Sequence, residues 1–224
     1  MNVIEYPDRE FMIIELAASI AATLEANLNI HEEISLAVPG GGTPGPLFDD
    51  LCGAEIEWDR VTVMVGDERW VPEDSPRSNA ALIRRRLLQD KAATAKFISF
   101  YREDMTPDEA MAPLSEKVAP HLPLSVLLLG MGADMHTASL FPGADRLEEA
   151  LSTEAPALMA LRADGAQEPR ITLTAPVLTG ALETHILITG TEKRDALEKA
   201  ARLNDPMAAP VSLVLSQATI HWAE

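Results

Sequence analysis

The stretch LLLGMGADMHTASLFPG, residues 127–143, contains the features that decide both the fold and the position of the site. An apolar run ends at Gly130, and an aspartate, a histidine, a threonine and a serine follow it closely. A short apolar run bounded by glycine is typical of a buried strand. In open α/β sheets, ligands bind at the carboxyl ends of the strands. We therefore expect chemistry where this strand ends.

Short apolar runs alternate with longer stretches of helical periodicity along the whole chain, which predicts a mostly parallel α/β sheet with helices on both faces. The pattern predicts strands at Ile34–Val38, Val61–Val65, Lys96–Phe100, Leu124–Leu129, Ile171–Leu173 and His185–Thr189. It predicts helices at Asp8–Asn27, Pro44–Leu51, Asn79–Gln89, Pro107–Val118 and Glu192–Leu203.

The chain shows no internal repeat and no Gly/Ser-rich linker, so we predict a single domain over residues 1–224. The stretch Ser152–Pro169 has the weakest pattern, and we expect it to be a surface excursion and the first place to look for a lid.

Composition excludes several classes of function. The formal net charge is −17, with 35 acidic against 18 basic residues, so we expect no binding to nucleic acid or to anionic membranes. Cys52 is the only cysteine, which excludes an internal disulfide and a multi-cysteine metal site. The N-terminus is acidic where a signal peptide is basic, and we identify no apolar run of membrane-spanning length. We expect a cytoplasmic protein.

Two loops after predicted strands carry further candidate residues. PGGGTPGPL follows Val38, and its glycines would allow backbone N–H groups to approach an anion. Thr43 before Pro44 predicts a helix N-cap. An ordinary turn from strand to helix is the alternative explanation of this loop. GDERWVPEDSPRSN follows Val65, and its charges should pair with each other or face a ligand. Ser78 is expected to cap the helix that follows it.

Asp134 and His136 are the sharpest candidates within the opening stretch. GMGADM matches a dinucleotide-binding fingerprint only in part, because Met135 replaces the third glycine. An aspartate two residues from a histidine can hold the imidazole in one tautomer, although a structural histidine is an open alternative. Arg170 and Lys193 lie near strand or helix ends and, unless they are ordinary surface cations, would complete a phosphate site.

Five ordered motifs, VPGGGTP, VGDERWVPEDSPRSN, LLLGMGADMHTASLFPG, RITLTAPVL and the segment around Lys193, resemble the 6-phosphogluconolactonase family. The resemblance implies a Rossmann-like sheet and hydrolysis of 6-phospho-D-glucono-1,5-lactone in the oxidative pentose phosphate pathway. It implies no metal or redox cofactor, a small phosphorylated sugar lactone as the ligand, and no obligate protein partner. It implies His136 as general base, oriented by Asp134, with Asp67 and Arg69 on the sugar side. The implied phosphate ligands are Gly41, Gly42, Thr43, Arg170 and Lys193.

The chain departs from related sequences at two positions. In the related glucosamine-6-phosphate deaminases a glutamate stands five residues after the histidine, where this chain has Phe141, which favours the lactonase. Family members usually have glycine where this chain has Met135, so a positive φ there would cost about 1 kcal/mol of strain. The alternatives are a phosphosugar isomerase or deaminase and a non-catalytic phosphosugar sensor.

Overall fold

The computed structural model describes residues 1–163 and 166–224. Its strands are β1 (Asn2–Glu5), β2 (Ile34–Val38), β3 (Val61–Val65), β4 (Asp67–Arg69), β5 (Lys96–Ile98), β6 (Val126–Leu129), β7 (Leu158–Leu161), β8 (Arg170–Leu173), β9 (Glu183–Thr189) and β10 (Thr219–Ala223). Its α-helices are α1 (Arg9–Leu28), α2 (Gly45–Leu51), α3 (Asn79–Arg86), α4 (Pro107–Val118), α5 (Leu147–Leu151), α6 (Ala175–Thr179) and α7 (Thr191–Leu203).

Seven strands form a parallel sheet in the order β1-β10-β9-β6-β2-β3-β5. The predicted mostly parallel α/β class is confirmed. The central strands β2, β3 and β6 are buried along their whole length, which explains why they appear in the sequence as continuous apolar runs.

The strand order reverses beside β2. The chain proceeds from β2 to β3 and β5 on one side, and then returns with β6 on the other side. The loops that follow β2 and β6 therefore leave the sheet side by side at its carboxyl edge. This is the topological switch point at which open α/β sheets bind ligands.

A second, antiparallel sheet has the order β4-β8-β7. The sequence pattern did not predict this sheet as a separate unit, and it did not predict β4 or β7. The predicted strand Ile171–Leu173 belongs to it and begins one residue earlier, at Arg170. The expectation of a surface excursion at Ser152–Pro169 is wrong for β7, whose four residues are buried. Residues 164–165 of that stretch lie outside the described residues.

Helix α1 is long and apolar enough, by length and composition, to cross a membrane, so the expectation that no run reaches that length is wrong. One face of α1 is buried, with Met12, Leu16, Ile20 and Leu24 inaccessible to solvent. Apolar residues at helical spacing against a sheet are also what a core helix requires. Asp8 caps α1 and accepts a hydrogen bond from the N–H of Phe11 at 2.8 Å.

Candidate active site

A cavity of about 330 Å³ opens at the switch point. Its walls come from the loop after β2, from β4, from the loop after β6, from β8 and from α7. The predicted site residues that line it are Gly41, Thr43, Asp67, Arg69, His136, Arg170 and Lys193. Asp134 and Gly42 are not part of the lining, but Asp134 contacts His136 directly.

A tight turn after β6 presents His136. The N–H of Gly132 donates to the carbonyl of His136, and the N–H of Met135 donates to the carbonyl of Gly132, both at 2.9 Å. Glycine is required at 132, because an added Cβ would lie 2.1 Å from Nδ1 of His136 and 2.2 Å from Oδ1 of Asp134. The turn thus closes on the imidazole and fixes its position.

Asp134 binds the imidazole as the sequence predicts. Its Oδ1 lies 2.5 Å from His136 Nδ1 and also accepts the His136 backbone N–H at 3.3 Å. The hydrogen bond from His136 holds the pKa of the Asp134 carboxyl below its usual value, against the opposing effect of partial burial. An ionised Asp134 on Nδ1 keeps the proton there, which leaves Nε2 of the neutral ring without one.

Met135 occupies the positive-φ conformation that its position suggested. Its φ is 69°, and its side chain is only 7% exposed. Its carbonyl accepts the N–H of Val211 at 3.1 Å, which connects the turn to the segment before β10. Burial of the thioether and this hydrogen bond stabilise the turn against the strain of a left-handed residue.

Two arginines lie side by side across the small sheet, because Arg69 of β4 is the register partner of Arg170 of β8. The Nη1 of Arg69 donates to the Arg77 carbonyl at 2.7 Å and to Oδ1 of Asn79 at 3.0 Å. The Nε atoms of both arginines are buried and have no hydrogen-bond partner among the described residues. Burial, and then the charge of Arg69, lower the pKa of Arg170. Both arginines line the cavity, and two adjacent guanidinium groups have the chemistry to bind an anion.

Asp67 lies beside these arginines and is 7% exposed. Its Oδ2 accepts a hydrogen bond from the hydroxyl of Ser139 at 2.5 Å and lies 4.0 Å from Nη1 of Arg170. Its backbone carbonyl accepts from the side-chain amide of Asn79 at 2.8 Å. The carboxylate offsets part of the positive charge and connects β4 to the loop that carries His136.

The glycine loop after β2 partly meets expectation. Gly41 has a φ of 92°, a conformation that glycine adopts without strain. The expected N-cap at Thr43 is wrong: helix α2 begins at Gly45, Pro44 occupies the cap position with helical dihedrals, and no side chain caps the helix. The N–H of Gly45 donates instead to the backbone carbonyl of Gly42, at 3.4 Å. Lys193 enters from α7 and donates to the carbonyl of Met131 at 2.5 Å.

The structure adds three residues that sequence reasoning did not place in the site. Asn79, expected only to follow the helix cap at Ser78, lines the cavity and contacts Gly40, where an added Cβ would lie 1.8 Å from its Oδ1. Ser139 binds Asp67, and Phe141 packs its ring 4.2 Å from that of His136, measured between centroids. Loop residues such as Ser139 carry no periodic signal, so their partners emerge only from the fold.

The other histidines lie outside the cavity lining. His185 and His221 are buried neighbours on β9 and β10, with Nδ1 of His185 3.0 Å from Nε2 of His221. The hydroxyl of Tyr6 contacts Nδ1 of His221 at 2.8 Å. In the part of the chain that the structure describes, no three His, Cys, Asp or Glu side chains gather in a metal-binding arrangement.

Comparison with known proteins gives one consistent result. The family model for glucosamine-6-phosphate isomerases/6-phosphogluconolactonases matches residues 7–222. A 6-phosphogluconolactonase of Rhizobium meliloti is 39% identical, with 100% of this chain and 98% of the relative covered. One from Pseudomonas aeruginosa is 38% identical, with 92% and 88% covered. The crystal structure of a 6-phosphogluconolactonase from Shewanella baltica superposes with a TM-score of 0.96 at 31% identity, covering 100% and 98%. This chain belongs to the glucosamine-6-phosphate isomerase/6-phosphogluconolactonase family.

Proposed function

We propose that this protein hydrolyses 6-phospho-D-glucono-1,5-lactone to 6-phospho-D-gluconate, with His136 as the general base. The observation that carries the proposal is the pairing of His136 Nδ1 with Asp134 Oδ1 at 2.5 Å, at the wall of a cavity that also holds two arginines. A base and an anion site in one cavity are what hydrolysis of a phosphorylated ester requires. Its 6-phosphogluconolactonase relatives over the full chain support the same substrate.

The reaction follows from the tautomer of His136. With its proton on Nδ1, the imidazole accepts a proton from water through Nε2 while the water oxygen attacks the lactone carbonyl. The bond between the carbonyl carbon and the ring oxygen then breaks, and the imidazolium returns the proton to that oxygen. Asp134 stabilises the imidazolium that forms between these two steps.

The phosphate end of the substrate would bind at the arginine pair. Arg69 is joined through Asn79 to the glycine loop, which brings guanidinium and backbone N–H donors to one end of the cavity. Arg170 lies next to Arg69, so we propose that both contact the phosphate, with Gly41 and Thr43 beside them. Gly42, a phosphate ligand by the sequence resemblance, lies next to Gly41 but outside the cavity lining. Lys193 is anchored on Met131, in the same loop as His136, and adds positive charge on that side.

Phe141 argues against a deaminase mechanism. Its ring packs on the imidazole of His136, and its other neighbour is the guanidinium of Arg170, 5.5 Å from the ring centroid. An aromatic ring at this place supplies neither a proton nor a negative charge to His136. The base therefore acts on water with Asp134 as its acidic partner.

The decisive experiment generates the lactone with glucose-6-phosphate dehydrogenase and follows its disappearance above the spontaneous rate. The wild-type protein should accelerate hydrolysis strongly, and a rate equal to the background would refute the proposal. Release of ammonia from glucosamine 6-phosphate would instead establish a deaminase. Binding of phosphosugar without either reaction would establish a sensor. The cytoplasmic address and the lack of nucleic-acid partners stay predictions.

Two variants test the assigned roles. His136→Ala should lower kcat by about 10²- to 10⁴-fold while 6-phosphogluconate still binds, because the base acts on water and not on the phosphate. His31→Ala, which removes an exposed histidine outside the cavity, is the matched control. Arg170→Ala should weaken 6-phosphogluconate binding strongly, and Arg170→Lys should restore it only in part, because lysine lacks the two-pronged donor geometry. Full activity of His136→Ala would refute the assignment of the base.

A further inference from the structure

Glu68 is a fully buried carboxylate that the proposed reaction does not use. It lies on β4 between Asp67 and Arg69, and it has no solvent exposure. Side chains alternate along a strand, so Asp67 and Arg69 face the cavity while Glu68 points away from it. A buried carboxylate requires compensating hydrogen bonds, which identify what it holds.

Four donors surround the Glu68 carboxylate. Its Oε1 accepts the backbone N–H groups of Arg69 and Asn79, both at 2.8 Å. Its Oε2 accepts the N–H of Ala80 at 2.7 Å and the hydroxyl of Ser78 at 3.1 Å. The Ser78 oxygen itself accepts from Ala81, so its proton is directed at Glu68. An ionised carboxylate accepts from all four donors, whereas a carboxylic O–H at Oε1 would confront the N–H of Arg69 or Asn79.

The groups that Glu68 holds belong to the anion site. Arg69 and Asn79 line the cavity, and their side chains are joined by the 3.0 Å hydrogen bond from Arg69 Nη1 to Asn79 Oδ1. Asn79 in turn packs against Gly40 of the glycine loop. The Glu68 carboxylate therefore fixes the backbone from which both cavity side chains project, and it joins β4 to the first turn of α3.

The pKa of Glu68 is raised by burial, which outweighs the lowering effect of its backbone hydrogen bonds. A raised pKa means that the negative charge is more costly in the folded protein than in the unfolded chain. Glu68 is therefore a poor choice for stability alone, and its value lies in the geometry that it imposes.

We propose that Glu68 is a positioning residue, whose buried carboxylate holds the backbones of Arg69 and Asn79 and so sets the Arg69 guanidinium in the anion site. The inference rests on the proposed function for its substrate, but the contacts themselves do not depend on it. A Gln side chain of the same shape would turn an N–H₂ group toward the donors on one side. The N–H of Ala80 or of Arg69 would then lose its acceptor.

The test is a double-mutant cycle read by calorimetric binding of 6-phosphogluconate. We expect Glu68→Gln to weaken binding about 10-fold or more, with the larger change in KM and not in kcat, since His136 is untouched. In an Arg69→Ala background the same change should cost less than about 2-fold, because its effect passes through Arg69. A purely structural residue would cost the same in both backgrounds, and that result would overturn the proposal.

Glu109→Gln is the matched control. Glu109 is an exposed carboxylate that accepts the backbone N–H of Thr106 in the capping box of α4, outside the cavity lining. We expect this variant to bind 6-phosphogluconate as wild type does, and an equal loss in both Gln variants would overturn the proposal. If Glu68→Gln does not fold, Glu68→Asp keeps the charge with a shorter reach and should bind with lower affinity; wild-type affinity in that variant would overturn the proposal.

The readouts separate this inference from the proposed function. Absence of lactonase activity in the wild-type protein, with coupling between Glu68 and Arg69 in 6-phosphogluconate binding, would refute the proposed reaction and support the positioning role. Full lactonase activity in the wild-type protein, with a folded Glu68→Gln variant that binds 6-phosphogluconate as wild type does, would support the proposed reaction and refute the positioning role.

Discussion

Replacing Met135 tests whether the turn that presents His136 stores backbone strain. Met135 has a φ of 69° and a side chain that is 7% exposed, so it combines an unfavourable backbone with favourable burial. Met135→Ala removes the buried side chain and keeps Cβ, whereas Met135→Gly also removes the atom that makes a positive φ unfavourable. The difference between the two variants isolates the strain.

The magnitudes predict an unusual order of stability. Truncating a buried methionine to alanine costs about 2–5 kcal/mol. Removing Cβ from a left-handed residue recovers about 1–2 kcal/mol, and the added freedom of glycine in the unfolded chain takes back about 0.4–1 kcal/mol. At the midpoints of these ranges, Met135→Gly should therefore be more stable than Met135→Ala by roughly 0.8 kcal/mol, with both less stable than wild type.

Equilibrium unfolding in urea measures these differences, and lactone hydrolysis measures their effect on the site. Both variants should keep near-wild-type turnover, because the hydrogen bonds between Gly132 and His136 involve only backbone atoms. Ala138 lies in the same loop and has a φ of 48°. Ala138→Gly should therefore raise the free energy of unfolding above that of wild type, for the same reason that Met135→Gly should be more stable than Met135→Ala. A Met135→Ala variant as stable as Met135→Gly, or more stable, would show that the turn stores no such strain.

Two further predictions concern geometry and pH. Gly132→Ala should lower kcat about 100-fold, because its Cβ would lie 2.1 Å from Nδ1 of His136 and displace the ring. Gly130→Ala is the control and should lower kcat far less, because the added Cβ would meet no atom of the described residues within 4 Å, its chain neighbours aside. Equal losses of kcat in the two variants would contradict this reasoning. Burial, and then His185, lower the pKa of His221 from 6.5 to about 4. As the pH falls, His221 therefore becomes protonated in the unfolded chain before it does so in the folded protein. The free energy of unfolding should fall by about 3 kcal/mol as the pH drops from 6.5 to 4. A urea series over this range should show less loss for His221→Gln, and an unchanged slope would count against the assignment.

The sequence predicted the parallel sheet and several residues that line the cavity because both follow from local signals. Buried strands such as β2 and β3 have continuous apolar runs, and the predicted bounds match the structure. His136 and Asp134 are two residues apart, so one turn was enough to bring them together. The edge strand β1 and its partner β10 gave weaker signals: β1 has only four residues, and most of them are exposed. β1 was missed for that reason. β10 was missed because its five residues, TIHWA, form no continuous aliphatic run.

Contacts between distant segments were not predictable in the same way. Arg69 and Arg170 were expected to serve different ends of the substrate, but antiparallel pairing of β4 with β8 makes them neighbours. A three-residue strand is too short to show periodicity, and its partner lies about a hundred residues away. Asn79 had a sufficient local explanation beside the Ser78 cap, which concealed its contact with Gly40. Long-range pairing thus places Arg69 beside Arg170 in the proposed anion site, while a local pattern places His136, the proposed base, beside Asp134.

The distribution of cations explains how so acidic a chain can attract a phosphate. Several arginines of the surrounding surface are already paired with carboxylates: Arg77 with Glu168, Arg84 with Glu73 and Arg86 with Asp49. In the cavity, by contrast, the Nε atoms of Arg69 and Arg170 have no hydrogen-bond partner within residues 1–163 and 166–224. The net charge of −17 repels an anion at long range, but salt screens that field beyond about 8 Å. Partly buried guanidinium groups are screened much less, so positive potential acts where the substrate makes contact. Selectivity for a phosphorylated ligand is therefore a property of the cavity, set by the two guanidinium groups that β4 and β8 place side by side at its wall.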